Sequence, residues 1–295
     1  AQDHGLELSV LEREQLQRLG MGALLGVAQG SAQAPKFIVL SYKGSDSDGV
    51  GLALVGKGVT FDSGGISLKS GDKMEEMKGD MSGGAAVMAA TSAIARLKLK
   101  INVTAVVPAV ENLPSGFALK PGDILTAITG KTIEIISTDA EGRLIMADAL
   151  GYANKLKAKL IVDVATLTGA CQVALGSVCT GAFANNQELV QKVVAAGAEA
   201  GELMWQMPMH DEYKEQNKSD VADIKNVGDR DAGAGAITAA QFLAEFVGDT
   251  PWVHLDIAGT SMSDKERKYL AKGATGVPVR TLINLALAIA SSVVT

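Results

Sequence analysis

The chain reads as an α/β protein with a mixed, mostly parallel central sheet covered by helices on both faces. Three observations lead there. Short apolar runs alternate with helix-length segments along the 295 residues, the pattern of strands laid side by side through helical crossovers. Aromatic residues make up only 4% while glycines number 33, which suits tightly packed α/β layers better than an aromatic-rich sandwich. Hydrophobic residues at 47% supply enough apolar surface for a sizeable core.

The elements follow in order. Residues 9–19 read as a helix, with Ser9 and Glu12 as a capping box and Gly20 as the stop; apolar residues resume over 21–27. Residues 36–42 and 50–55 read as strands joined by a polar turn at 44–49. A glycine-rich loop runs over 56–65, a helix over 73–97 and a strand over 101–107. Residues 111–122, with two prolines and two glycines, read as loop. Residues 124–129 and 132–136 read as a hairpin around Gly130-Lys131. Next come a helix over 144–156, a strand over 160–164 and helices near 188–200, 236–246 and 279–291, with a strand over 252–257. Residues 1–30 are expected to form a linker helix leading into a single domain over 31–295.

Composition narrows the function. A net charge of -6 argues against a general nucleic-acid footprint, which needs a basic patch. The two cysteines, Cys171 and Cys179, match no zinc spacing and make no disulfide framework. They read as small core residues of a protein from a reducing compartment. No basic segment followed by an apolar run opens the sequence, so no secretory signal is expected. The apolar stretch 282–294 is shorter than the roughly 18 residues a span requires and reads as a buried helix.

The most chemical segment is Thr138-Asp139-Ala140-Glu141-Gly142-Arg143-Leu144. In an extended loop, Asp139 and Glu141 would point the same way, with Arg143 beside them. Two carboxylates held together repel, and a divalent metal resolves the repulsion. Alone, the segment reads better as a solvated acidic turn before a helix. Other residues bear on the choice. Lys57, Asp62 and Lys69 share the glycine-rich loop after an apolar strand, where open α/β sheets place their sites. That loop fits neither the dinucleotide nor the P-loop pattern. Asp80 lies on a methionine-rich helix face with Met77 and Gly84, where a buried carboxylate needs a partner or a metal. Most of the methionines read as core. Asp62, Asp80, Asp139 and Glu141 carry four negative charges, which two divalent cations would balance, leaving Lys69 and Arg143 for an oxyanion or developing charge. Histidines number only three, His4, His210 and His254, and each reads as structural or superficial.

At these residues the chain resembles the catalytic domain of the leucyl aminopeptidase family, the dinuclear cytosol aminopeptidases. The matching strings lie at 55–65, 80–81, 111–116, 120–123, 138–144, 163–170 and 254–259. The resemblance implies a zinc-peptidase-like α/β/α sandwich. It implies Lys57, Asp62, Asp80, Asp139 and Glu141 as metal ligands, with Asp62 and Glu141 touching both ions. A lysine ligand must be neutral, and an adjacent dication lowers its usual value of about 10.4. Lys69 would stabilise the tetrahedral gem-diolate, and Arg143 would hold bicarbonate as a general base. Met77, Thr166, Gly169 and Ala258 match the pocket for the first side chain, and the Leu167 backbone would bind the substrate main chain. The resemblance further implies release of N-terminal residues from peptides, leucine and other apolar residues preferred. It implies two divalent ions per subunit, Zn²⁺ or Mn²⁺ with Mg²⁺ or Co²⁺ as further candidates.

Such a protein is expected to be a homo-hexamer and cytoplasmic, or organellar if a transit peptide was removed. It would use no membrane, and nucleic acid is not expected as its partner. Two departures stand out: Ser137 replaces the usual Asn before the Thr-Asp-Ala-Glu-Gly-Arg string, and the residues begin at what resembles the family's interdomain helix, so its N-terminal domain is expected to be absent. The competing readings are a non-catalytic scaffold or DNA-binding assembly, which the full residue set disfavours, and a two-metal phosphoesterase, which Lys57 disfavours.

Overall fold

The computed structural model describes residues 1–229, 231–266 and 271–292. Its order is β1 (Glu7–Leu11), α1 (Arg13–Leu19), α2 (Gly22–Ala28), β2 (Lys36–Lys43), β3 (Leu52–Gly56), β4 (Gly58–Asp62), α3 (Ser82–Arg96), β5 (Asn102–Asn112), β6 (Ile124–Thr126), β7 (Thr132–Glu134), α4 (Glu141–Lys155), β8 (Ile161–Ala165), α5 (Gly169–Leu175), β9 (Thr180–Ala184), α6 (Gln187–Ala200), β10 (Met204–Gln206), β11 (Ile224–Lys225), α7 (Gly235–Ala244), β12 (Trp252–Asp256), a short β13–β14 pair (Met262–Ser263, Gly273–Ala274) and α8 (Val279–Ser292).

The main sheet runs β1-β2-β5-β3-β8-β12-β9-β10, with β4 also paired to β5. The centre, β5-β3-β8-β12, is parallel, and antiparallel pairs join β1 to β2, β2 to β5 and β12 to β9. This is the α/β sheet that alternation predicted. Every residue of β3, β8 and β12 is buried, as central parallel strands covered on both faces require. Side chains alternate between the faces. Ala53, Val55, Ile161 and Trp252 join one core with α2, α4 and α7, while Leu52, Leu54, Val162 and Val253 join the other with α3, α6 and α8. Each large side chain so buried contributes roughly 1.5–3 kcal/mol.

Several local expectations need correction. Residues 9–19 are not one helix. Leu8 and Val10 alternate with polar neighbours in β1, and the capping box is Glu12 with Gln15, one turn later than Ser9 with Glu12. Gly20 does end α1 in the left-handed conformation, at φ 75°. The glycine-rich stretch 56–65 is not all loop, because Gly58–Asp62 pairs with the far half of β5, which itself continues to Asn112. The expected helix 73–97 is two pieces, a 3₁₀ turn at Met74–Gly79 and then α3, so Asp80 stands at the break and not inside a helix. Helix α4 starts at Glu141, not residue 144. Cys171 is buried as expected, but Cys179 is only half-buried. The stretch 282–294 begins in α8, and Val294 lies outside the described residues. Among the described residues no helix is long and apolar enough to cross a membrane.

Candidate metal centre

The carboxyl ends of β3, β4, β8 and β12 open onto one cleft of about 640 Å³, the position where open α/β sheets bind ligands. Lys57 is the single residue between β3 and β4. Asp62 closes β4, Asp80 precedes α3, and Glu141 opens α4. Two helix N-termini therefore face the cluster, and each favours negative charge.

Two glycines permit this convergence. A Cβ on Gly83 would stand 2.1 Å from the Val164 carbonyl oxygen, so only glycine lets α3 abut β8 and deliver Asp80. A Cβ on Gly142 would stand 2.7 Å from Lys57 Nζ and 2.8 Å from its Cε. The first turn of α4 thus leaves the volume that the Lys57 side chain fills.

Lys57 is 4% exposed in its side chain, and its Nζ lies 2.7 Å from Asp80 Oδ2 and 2.8 Å from Glu141 Oε1. It donates to the Thr166 carbonyl at 3.0 Å. Thr166 Oγ1 in turn donates to Asp80 Oδ1 at 2.6 Å. Lys69 Nζ contacts Asp62 Oδ2 at 2.8 Å and also pairs with Asp139 Oδ1. Carboxylate oxygens of Asp62, Asp139 and Glu141 lie within 4.8 Å of one another. Asp62 Oδ1 is fixed from behind by Asn112 Nδ2 at 2.8 Å and Gly64 N at 2.9 Å.

The electrostatics follow from burial and crowding. Burial pushes the Glu141 carboxyl up to about 8 against the pull of Lys57, and Asp62 and Asp80 add repulsion. Asp80 is raised for the same first reason, as is Asp139. Burial alone would pull the Lys57 amine down, but Asp80, Glu141 and Asp62 together hold it above the ordinary lysine range. Burial lowers the Arg143 guanidinium to about 10, with Glu141 and Asp256 opposing.

The donor set fits a divalent cation. Asp80 Oδ2 and Glu141 Oε1 are buried and accept no well-directed hydrogen bond, although Lys57 Nζ is close to both. Proximity to an ammonium meets part of their charge but leaves lone pairs unused, which is costly in a buried site. Oxygen-rich clusters of this kind suit Mg²⁺, Mn²⁺ or Zn²⁺.

Lys57, Asp62, Asp80, Asp139, Glu141, Lys69 and Arg143 all line the cleft, as do Met77, Thr166, Leu167, Gly169 and Ala258. The geometry at 139–143 differs from an extended loop. Glu141 and Arg143 belong to α4, where residues two apart do not face alike. Arg143 Nη1 is tied to the Asn226 carbonyl at 2.6 Å, and its Nε has no hydrogen-bond partner.

Two buried groups, Asn226 and Asp256, escape sequence reasoning, and His254 has one of the two roles expected of it. Asn226 accepts from Ile136 N at 2.8 Å and donates to the Ser137 carbonyl at 2.7 Å, so its side chain anchors the strand end before Asp139. His254, read as structural or superficial, is fully buried and structural, with Nδ1 2.6 Å from Asp163 Oδ1, while Trp252 Nε1 donates to Asp163 Oδ2 at 2.6 Å. Asp256 gathers donors from two loops. The one available signal was the Asp163 and Asp256 carboxylates inside otherwise apolar strands, where a charge must have partners.

Fold and cluster together define an α/β domain whose sheet-end cleft carries an acidic group that could hold a divalent metal. Sequence comparison makes this specific: the cytosol aminopeptidase family, catalytic domain, matches residues 1–283, and the chain belongs to that family. It is 57% identical over 286 residues to a probable cytosol aminopeptidase of Alkaliphilus metalliredigens, covering 97% of this chain and 57% of the relative. A probable cytosol aminopeptidase of Solibacter usitatus is 58% identical over 288 residues, covering 97% and 60%. One of Clostridium tetani is 53% identical over 283 residues, covering 96% and 58%. The chain therefore spans less than two thirds of the length of these relatives.

Proposed function

We propose that this chain is the catalytic domain of an aminopeptidase that releases N-terminal residues, leucine and other apolar ones preferred, from peptides in the cytoplasm. The carrying observation is the convergence of four carboxylates, three of them buried (Asp62, Asp80 and Glu141, with Asp139), around Lys57 in one cleft. Lys57, as the neutral amine that an adjacent dication favours, would hold two divalent ions together with Asp62, Asp80, Asp139 and Glu141, Zn²⁺ or Mn²⁺ first. Bound there, the ions would supply an acidified water and a polarised scissile carbonyl.

The chain's own groups do the rest. Burial would lower the Lys69 amine, but Asp62 and Asp139 hold it above the ordinary range, so it keeps its proton. That fixed charge offsets the oxyanion that develops on the scissile carbonyl, a preorganised effect. Arg143, at the cleft wall, would hold bicarbonate as the base. Met77, Thr166, Gly169 and Ala258 would line the first side-chain pocket, and the Leu167 backbone would hold the substrate main chain. The working form would be a homo-hexamer; a stable monomer near 30.4 kDa in light scattering would remove that part.

The test is hydrolysis of leucine anilide with Mn²⁺ or Zn²⁺, beside an Asp139→Ala control. Metal-dependent release by the wild type and none by Asp139→Ala is expected. No release by the wild type would sink the reading; release surviving in Asp139→Ala would sink the site.

A further inference from the structure

Asp256 closes β12 and is 1% exposed. Its Oδ1 accepts from Leu167 N at 3.2 Å, Ala258 N at 3.1 Å and Thr168 N at 3.5 Å, and its Oδ2 accepts from Thr168 Oγ1 at 2.7 Å. These donors come from two loops, one after β8 and one after β12. Thr168 Oγ1 also accepts from Cys171 N at 3.0 Å and so caps α5. A buried carboxylate is expensive unless its lone pairs are filled, and here neutral groups of both loops fill them.

The opposite side of the same segment is held by the charged cluster. Thr166 gives its carbonyl to Lys57 Nζ at 3.0 Å and its hydroxyl to Asp80 Oδ1 at 2.6 Å. Residues 166–168 are thus strapped between the lysine–carboxylate cluster and Asp256. Thr166, Leu167, Thr168, Gly169 and Ala258 face the cleft, whereas Asp256 does not line it. Asp256 can influence a ligand only through the groups it holds.

We infer that Asp256, with Thr168 as its relay, is a positioning residue that sets the width of the first side-chain pocket and hence the choice among N-terminal residues. It rests on the aminopeptidase reading and adds a specificity device to it. A carboxylate that ties Ala258 to residues 167 and 168 fixes the separation of two pocket walls. Loosening that tie changes discrimination between a large and a small side chain, which a pocket typically sets at about 10–200-fold.

Thr168→Val removes the hydroxyl at nearly constant volume, and Thr168→Ser keeps it. Asp256→Asn keeps the Oδ1 contacts and tests the charge. The readout is the ratio of kcat/KM for leucine anilide over alanine anilide, which is independent of the fraction of folded protein. Thr168→Val should lower the ratio about tenfold and Thr168→Ser should restore it to within about twofold. The rise in Tm on adding Mn²⁺ should stay as in the wild type in all three. If both substrates fall by one factor and the ratio holds, Asp256 serves the fold alone and the inference is overturned. Calorimetric binding of free leucine and alanine reads the same preference without turnover. A wild type that prefers leucine in binding but hydrolyses neither anilide would sink the aminopeptidase reading and leave this one standing, provided Thr168→Val erases the preference. Equal wild-type binding of the two amino acids would overturn it.

Discussion

Lys57 and Lys69 each sit among carboxylates in one cleft, yet the two groups are built differently. Lys57, Asp80 and Glu141 have side chains 4%, 8% and 2% exposed. Lys69 and Asp139 are 24% and 39% exposed, with only Asp62 buried beside them at 4%. The inner group is walled by α3, α4 and the β8 loop. The outer group opens to solvent. Identical chemistry thus meets two dielectric environments, and the pairing energy, the cost of losing a partner and access to a substrate all change with it. The inner lysine is poised as part of a closed cage, and the outer one as a charge that a reacting group can reach.

Removing each lysine in turn is the sharpest test of that difference. Lys57→Met strands two buried carboxylates and should cost about 3–5 kcal/mol in urea unfolding of metal-free protein. Lys69→Met should cost under about 1 kcal/mol by the same measurement, because Lys69 and Asp139 are partly solvated and the buried Asp62 keeps its Asn112 and Gly64 donors. Turnover should separate the other way for the outer residue. Lys69→Met should lower kcat about 10²–10³-fold with folding intact, as loss of one oxyanion-stabilising group does. Equal stability losses at the two positions would break the comparison.

A buried carboxylate held by backbone donors, with Lys155 acting on it only through its charge, extends the series. Asp148 is fully buried and accepts from Leu24 N at 2.8 Å and Ile128 N at 2.7 Å. Burial pushes it up to about 7 despite these donors. The unfolded chain releases this proton near pH 3.9, so between those values the folded state holds a proton that the unfolded state has lost. Stability from this group is therefore present in acid and is lost as pH rises from about 4 through about 7. Urea midpoints of metal-free protein between pH 5 and 8 should fall more steeply in the wild type than in Asp148→Asn, whose amide has no proton to lose. Parallel slopes would mean that the two backbone donors keep Asp148 ionised.

Much of this organisation was visible in the residues. The apolar runs of β3, β8 and β12 and the long helices follow from periodicity, and the grouping of Lys57, Asp62, Asp139 and Glu141 follows from placing such residues after strands. The rest depended on contacts distant in sequence. The strand Gly58–Asp62 hid in a glycine-rich stretch because pairing with β5, not propensity, makes it a strand. Strand β9, Thr180–Ala184, is small and glycine-containing, and gives no alternating signal. Helix α5 has seven residues, too few to stand alone, and is held by the Thr168 cap. The supports Asn112, Asn226 and Asp256 reach partners 26 to 89 residues away, which no local pattern encodes.

Gly142 offers the finest cut between the two lysines. Alanine is the better helix former by about 1 kcal/mol, and the first turn of α4 would gain from it. The new methyl would also meet Lys57 at 2.7 Å from Nζ and 3.0 Å from Cδ. A side-chain end can yield where backbone cannot, so Lys57 would withdraw from Asp80 and Glu141. The opposing terms should leave metal-free stability within about 1 kcal/mol of wild type. The Tm gain on adding Mn²⁺ should shrink, because the inner cage alone is distorted, while the contact of Lys69 with Asp62 stays. A stability loss as large as that of Lys57→Met would mean that the inner lysine has no room to move. An unchanged Mn²⁺ response would mean that its position is not what the metal reads.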